Sequence, residues 1–256
     1  MVPAHSTCSP PANAVGILTL CHHLTGRIPA KDGRFVIDAS CDLGVAYIGT
    51  VIDTLLLDAD GVTQYPTADL LSGFAALLRG PAAVLDLFTA ERQAIDGSRD
   101  MREVLAQFLA DHELPTDPED VFAHWNAIEV NEPVLSLVDE LRANGTRCFL
   151  ATNQQNVRGR YMQQELSYAD HFDGQFYSFE VGVAKPDPDY FTAVIEATGA
   201  EPGRTLFVDD MLANVHGAES AGLRAEHLAW NLGDPPAGDA PLSEVLRRYQ
   251  LLPARR

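Results

Sequence analysis

The run Ile52-Asp53-Thr54-Leu55-Leu56-Leu57-Asp58 constrains this chain more than any other stretch. Apolar side chains of both parities need cover on both faces of a strand, and the run stops at an acidic residue shortly before Gly61. That is the pattern of a strand buried inside a sheet. After Pro133 strands alternate with helices. A helix is expected over Val134 to Ala143, stopped by Asn144-Gly145, and a strand over Arg147 to Ala151. A polar helix follows from about Gln154 to Leu166, then a short strand over Phe176 to Ser178 and a helix over Pro188 to Thr198. Thr205 to Val208 reads as a strand, Leu212 to Ala221 as a helix and Ala225 to Leu228 as the last strand. This alternation implies an α/β fold, a parallel sheet with helices on both faces. Ligands of such sheets bind beyond the carboxyl ends of the strands.

Between the first strand and Pro133 the periodicity is helical. Leu70, Leu71, Phe74, Leu77 and Leu78 share one face, Val104, Leu105, Phe108 and Leu109 another, and Val121, Phe122 and Trp125 mark a shorter helix. Pro81, Gly97 and Pro115 divide residues 67–126 into three or four helices, with no strand signal among them. The expected organisation is a core of residues 51–64 and 133–256 with a helical insertion at 65–132. Residues 1–50 hold neither period and read as an irregular extension. Cys21-His22-His23 lies there but fits no standard zinc spacing.

Four cysteines in 256 residues form no disulfide framework, and no apolar run reaches the ~18–20 residues of a membrane span. The 18 basic and 36 acidic residues leave a net charge of −18, which argues against nucleic acid and anionic membranes as partners. A cytoplasmic protein is expected.

The strand ends carry the chemistry. The first ends in Asp58-Ala59-Asp60-Gly61-Val62, the next in Thr152-Asn153, and the last but one in Asp209-Asp210; a loop after the short third strand holds Lys185-Pro186. In a parallel sheet these ends converge on one edge. Carboxylates gathered there repel one another unless a cation neutralises them. Oxygen donors favour a hard ion, and Mg²⁺ typically takes a few carboxylates, waters and a substrate phosphate. Thr152, Asn153 and Lys185 supply the complement, donors for an anion beside that ion. The chain has 18 basic residues but only two lysines, Lys31 and Lys185, which makes Lys185 stand out. Carboxylates, a metal and anion donors together describe phosphoryl transfer.

The set Asp58-x-Asp60-Gly61-Val62, Thr152-Asn153, Lys185-Pro186 and Asp209-Asp210, in this order across roughly residues 52–230, resembles the four motifs of the haloacid dehalogenase-like (HAD) superfamily. The resemblance implies a Rossmann-like parallel sheet with the helical insertion as an α-helical cap. It implies a Mg²⁺-dependent phosphatase acting on a small phosphorylated metabolite, with Asp58 as nucleophile and Asp60 as general acid and then base. Thr152, Asn153 and Lys185 would bind the phosphoryl group. Asp58, the Asp60 carbonyl and Asp210 would ligate the metal, with Asp209 beside them. Two departures are visible. Ala59 is smaller than the usual middle residue, and Asn214-Val215 stands where many members place another Asp, leaving open which group orients Lys185. The alternatives within the fold are a phosphomutase or other phosphotransferase, and a haloacid dehalogenase, whose family members lack an acid at the position of Asp60. A non-catalytic binding domain is the alternative outside enzymes.

Overall fold

Residues of both parities are buried along the central strands of the computed structural model, which describes residues 51–254 except Ala68, Gly233 and Pro235. The extension read over residues 1–50, with Cys21-His22-His23, lies outside the described residues. Strand β1 (Thr54–Leu57) is followed by β2 (Gln64–Pro66), helices α1 (Leu70–Leu77), α2 (Pro81–Glu91), α3 (Met101–Asp111) and α4 (Pro118–Trp125), then β3 (Ile128–Val130) and α5 (Glu132–Ala143). Next come β4 (Arg147–Thr152), α6 (Asn156–Glu165), α7 (Tyr168–His171), β5 (Gly174–Tyr177), α8 (Ser178–Val181) and α9 (Pro188–Thr198). The chain continues through β6 (Thr205–Asp209), α10 (Leu212–Ser220), β7 (Arg224–His227) and α11 (Ala240–Arg248).

Five strands pair in the order β5-β4-β1-β6-β7, all parallel. Leu55, Leu57, Leu150, Leu206 and Val208 point to one side, where they pack with Val138 of α5, Tyr168 of α7 and Leu242 of α11. Leu56, Phe149, Ala151 and Phe207 point to the other and meet Tyr190, Phe191 and Val194 of α9 and Ala218 of α10. The period of two along a strand thus serves two apolar layers, as the unbroken apolar run requires. The chain leaves β1 towards β4 and β5, then returns past it to β6 and β7. That reversal puts a crevice at the carboxyl end of β1. Register sharpens the placement: Leu57 lies beside Leu150 and Val208, so Asp58, Thr152 and Asp209 end nearly level. Among the described residues, no single helix is long and apolar enough to cross a membrane.

The helical block consists of four helices with an apolar cluster of their own, including Phe74, Leu87, Leu105, Phe108, Val121 and Trp125. Two of them begin at capping aspartates. Asp100 accepts from the Arg102 N–H and Asp117 from the Glu119 N–H. The block joins the sheet through an antiparallel ribbon of β2 and β3, in which Gln64 faces Val130 and Pro66 faces Ile128. Three-residue strands are too short to show a period, so this ribbon has no sequence signature. The third sheet strand starts earlier than its sequence suggests, at Gly174, and Ser178 already opens α8. Helix α11 was not anticipated, although Leu242, Val245 and Leu246 give it a buried stripe.

Candidate active site at the carboxyl edge of the sheet

Lys185 is the centre of the polar cluster. Its side chain is fully buried, and Nζ lies 2.8 Å from Asp58 Oδ1 and 2.6 Å from Asp209 Oδ2. The third proton is donated to the Ala151 carbonyl at 2.8 Å, so all three donors of the ammonium are used. Burial works against this charge, but Asp209 and Asp58 outweigh it and raise the pKa of Lys185. Asp209 is held in turn: Oδ1 accepts from the Met211 N–H at 2.7 Å, and Asn214 Nδ2 lies 3.0 and 3.1 Å from its two oxygens. Asp209 therefore orients Lys185, and Asn214 orients Asp209. This answers the question raised by the missing acid at position 214. Gly217 lets α10 approach the Lys185 loop, since a Cβ there would sit 2.1 Å from the Pro186 carbonyl oxygen.

Asp58, Asp209 and Asp210 each offer a carboxylate oxygen within 4.8 Å of the others. Gly61, with φ of +78°, makes room for this: a Cβ on it would lie 2.7 Å from the Asp210 carboxyl carbon. Burial and Asp209 push the Asp210 carboxyl up to about 7. Burial and Asp209 also raise Asp58, against the pull of Lys185. Three carboxylates facing one ammonium leave uncompensated negative charge. The donor set is all oxygen, and Asp209 has both oxygens engaged while Asp58 and Asp210 retain free ones. These residues fit a hard divalent cation.

A prediction follows for the metal-free protein. Between the ordinary Asp value of 3.8 and about 7, the folded protein holds a proton on Asp210 that the unfolded chain releases. Stability therefore falls as pH rises through that window and stays reduced above it. Asp210→Asn is expected to leave the melting temperature in EDTA unchanged near about pH 4 and to raise it above about pH 7. Parallel melts of the two proteins check this; a variant no more stable than the parent at the higher pH contradicts it.

Thr152 is buried at the tip of β4, and its hydroxyl accepts from Gln154 Nε2 at 3.1 Å. Asn153 binds the main chain of the lysine loop. Its Nδ2 donates to the Lys185 carbonyl at 2.7 Å and its Oδ1 accepts from the Lys185 N–H at 2.9 Å. The amide oxygen and one Nδ2 hydrogen are spent on the Lys185 main chain, and the second Nδ2 hydrogen is the donor left for a ligand. Gln155 caps α6, accepting from the Val157 and Arg158 N–H groups.

Asp60 lies apart from the lysine cluster. Arg158 grips it with two nitrogens, Nη1 at 2.7 Å from Oδ2 and Nη2 at 2.8 Å from Oδ1. Gln64 and Gln154 each add a hydrogen bond at 2.9 Å. Burial favours the neutral acid, but the charge and hydrogen bonds of Arg158 outweigh it and hold the carboxyl at about 2. Arg158 and Gln64 were not singled out from the sequence. A clue was present, because α6 is polar nearly all round yet buries Asn156 and Arg158. A polar helix with a buried face implies a hydrogen-bonded network beneath it.

The carboxylates and the buried lysine stand at the carboxyl edge of a parallel sheet, where α/β folds bind their ligands. The chain belongs to the haloacid dehalogenase-like hydrolases, whose family model matches residues 50–222. It is 34% identical over 98 residues to a sesquiterpene phosphatase of Aspergillus oryzae, covering 38% of this chain and 50% of that protein. It is 30% identical over 127 residues to phosphoglycolate phosphatase 1 of Pseudomonas aeruginosa, covering 49% of this chain and 47% of the relative. The chain thus spans half or less of the length of these curated relatives. In fold it resembles a HAD family enzyme of Bacteroides thetaiotaomicron solved as a magnesium complex, with a TM-score of 0.63 and 21% identity over 73% of this chain and 96% of that one. It also resembles the L-2-haloacid dehalogenase of Xanthobacter autotrophicus, with a TM-score of 0.54 and 21% identity over 79% of this chain and 85% of that one.

Proposed function

We propose that the protein is a Mg²⁺-dependent phosphatase that hydrolyses a small phosphorylated metabolite through an aspartyl-phosphate on Asp58. The observation that carries this reading is the pairing of two carboxylates in different surroundings two residues apart. Asp58 stands against a buried ammonium with a free oxygen, and Asp60 is a separate carboxylate paired with the Arg158 guanidinium. The Asp58 oxygen attacks phosphorus in line, and the P–O bond to the leaving group breaks. Asp60, ionised beside Arg158 in the free protein, takes up the proton that a monoanionic phosphate ester brings and passes it to the departing oxygen, then takes one from the water that attacks the aspartyl-phosphate and regenerates Asp58. Lys185 keeps the nucleophile oriented and balances charge beside the phosphoryl group, and the Thr152 hydroxyl contacts a phosphoryl oxygen.

Asp58, Asp210 and the Asp60 carbonyl are the groups that would hold Mg²⁺, with Asp209 steadying the lysine beside them. When bound, the ion supplies neutralising charge to the phosphoryl oxygens. Residues 65–132 act as a cap over the core of 51–64 and 133–256. Their separate apolar cluster and narrow two-strand attachment support movement as a unit. Asp60 favours the phosphatase over the dehalogenase, because a departing halide needs no proton.

Purified protein is expected to release phosphate from 4-nitrophenyl phosphate and from members of a phosphorylated-metabolite panel when Mg²⁺ is present. EDTA should stop the reaction and added Mg²⁺ restore it. Chloride release from 2-chloropropionate, with no phosphate release and no response to EDTA, would overturn the reading.

A further inference from the structure

We infer that Arg158 is a positioning residue that ties Asp60 to the returning leg of the helical insertion, so that the orientation of the acid and the placement of the insertion are set together. The inference rests on the phosphatase reading and extends it to a residue outside the four motifs. Arg158 sits on α6, a helix of the core, yet its bonds run to both legs of chain that connect the insertion. On the outgoing leg it grips Asp60, which Gln64 of β2 also holds at 2.9 Å. On the returning leg its Nε donates to the carbonyl of Trp125 at 3.1 Å. Trp125 is the last residue of α4, where helix carbonyls lack an intrahelical partner.

The ring of Trp125 packs edge-on against Phe74 and Phe88, at centroid distances of 5.2 and 6.1 Å, inside the apolar cluster of the insertion. A shift of the insertion therefore displaces the Trp125 carbonyl, and with it one anchor of the guanidinium. Glu91, at the end of α2, lies within electrostatic reach of the pair: burial lifts its carboxyl to about 7, while Arg158 draws it down and Asp60 pushes it up.

Arg158 has little left to offer a substrate. Of its five N–H groups, one bonds Trp125, two on Nη1 bond Asp60 and Gln154 Oε1, and one on Nη2 bonds Asp60. Its side chain is 8% exposed. A phosphate clamp would keep its fork open; this one is closed on Asp60. A lysine could neither grip both oxygens nor reach Trp125 at the same time, since it presents one compact charge.

The test compares kcat/KM for 4-nitrophenyl phosphate, whose leaving group departs readily, with phenyl phosphate, whose leaving group needs the proton. Both are measured with Mg²⁺ in the parent, Asp60→Asn, Arg158→Gln, Arg158→Lys and the Asp60→Asn/Arg158→Gln double variant. Arg158→Gln and Arg158→Lys are expected to lower phenyl phosphate turnover about tenfold more than 4-nitrophenyl phosphate turnover. Added to Asp60→Asn, Arg158→Gln should change that ratio no further, as befits two residues acting as one. Amide hydrogen exchange over residues 121–131 should quicken in both Arg158 variants, independently of activity. Arg158→Lys keeps the charge opposite Asp60 and serves if Arg158→Gln does not fold. Equal losses on the two esters, an additive effect in the double variant, or unchanged exchange overturns the inference and leaves the phosphatase reading standing. If Asp60→Asn itself treats the two esters alike, the acid assignment falls and the inference with it.

Discussion

Asp58→Asn is expected to abolish hydrolysis of 4-nitrophenyl phosphate, by about 10³-fold or more, because the amide cannot form the covalent intermediate. The fold should survive unharmed. In the metal-free protein Asp58 is one of three carboxylates around a single ammonium, and its neighbours already push it towards the neutral form. Asparagine has nearly the same shape without that charge. Lys185 keeps Asp209 and the Ala151 carbonyl as partners. Melting temperature in EDTA at neutral pH should therefore be equal to or above that of the parent. The two readings together distinguish a lost nucleophile from a damaged structure. An Asp58→Asn protein that still turns over substrate removes Asp58 from the mechanism. One that is inactive but unfolded contradicts the electrostatic account of the cluster.

Lys185→Met should have the largest effect on stability. The lysine and Asp209 side chains are both completely buried, and Asp58 is nearly so. Removing the ammonium leaves two carboxylates without their cation, and breaking a buried pair from one side costs about 3–5 kcal/mol. The sign of the pH dependence follows. Without Lys185 the folded-state pKa of Asp58 rises further, so the folded protein binds a proton that the unfolded chain releases. Stability is then lost as pH increases from the ordinary carboxylate range towards the raised value. Urea denaturation should show a larger gap between variant and parent at about pH 8 than at about pH 5. Adding Asp209→Asn to Lys185→Met should recover part of the loss while activity stays absent. A variant as stable as the parent at both pH values would mean that Lys185 is not the charge that holds this edge together.

Most of the site that sequence could reveal lies at the end of an apolar strand. Asp58, Thr152 and Asp209 take their positions from strands whose burial is written in their own residues, and parallel pairing brings the tips together. Lys185 was legible for a different reason, as a rare residue type in a loop between predicted elements. What stayed hidden depends on side-chain direction over long separations. The Arg158–Asp60 contact spans 98 residues and requires α6 to turn one face inward, which a helix without an apolar stripe does not announce. Asn153 could be placed beside the cleft, but its two bonds to the Lys185 main chain could not be foreseen. The β2–β3 ribbon and the short α7 and α8 fall below the length at which a period can be recognised.

The attachment of α1 to α4 has a consequence for how such a chain diversifies. Their apolar cluster draws almost wholly on their own residues, and two three-residue strands make the join. Substitutions among those helices are therefore insulated from the sheet edge, except at the few bonds that reach across to Arg158, Asn156 and Ser178. A lineage can remodel what it recognises while its bond-breaking apparatus stays fixed, provided each replacement module still offers a carbonyl where Trp125 does.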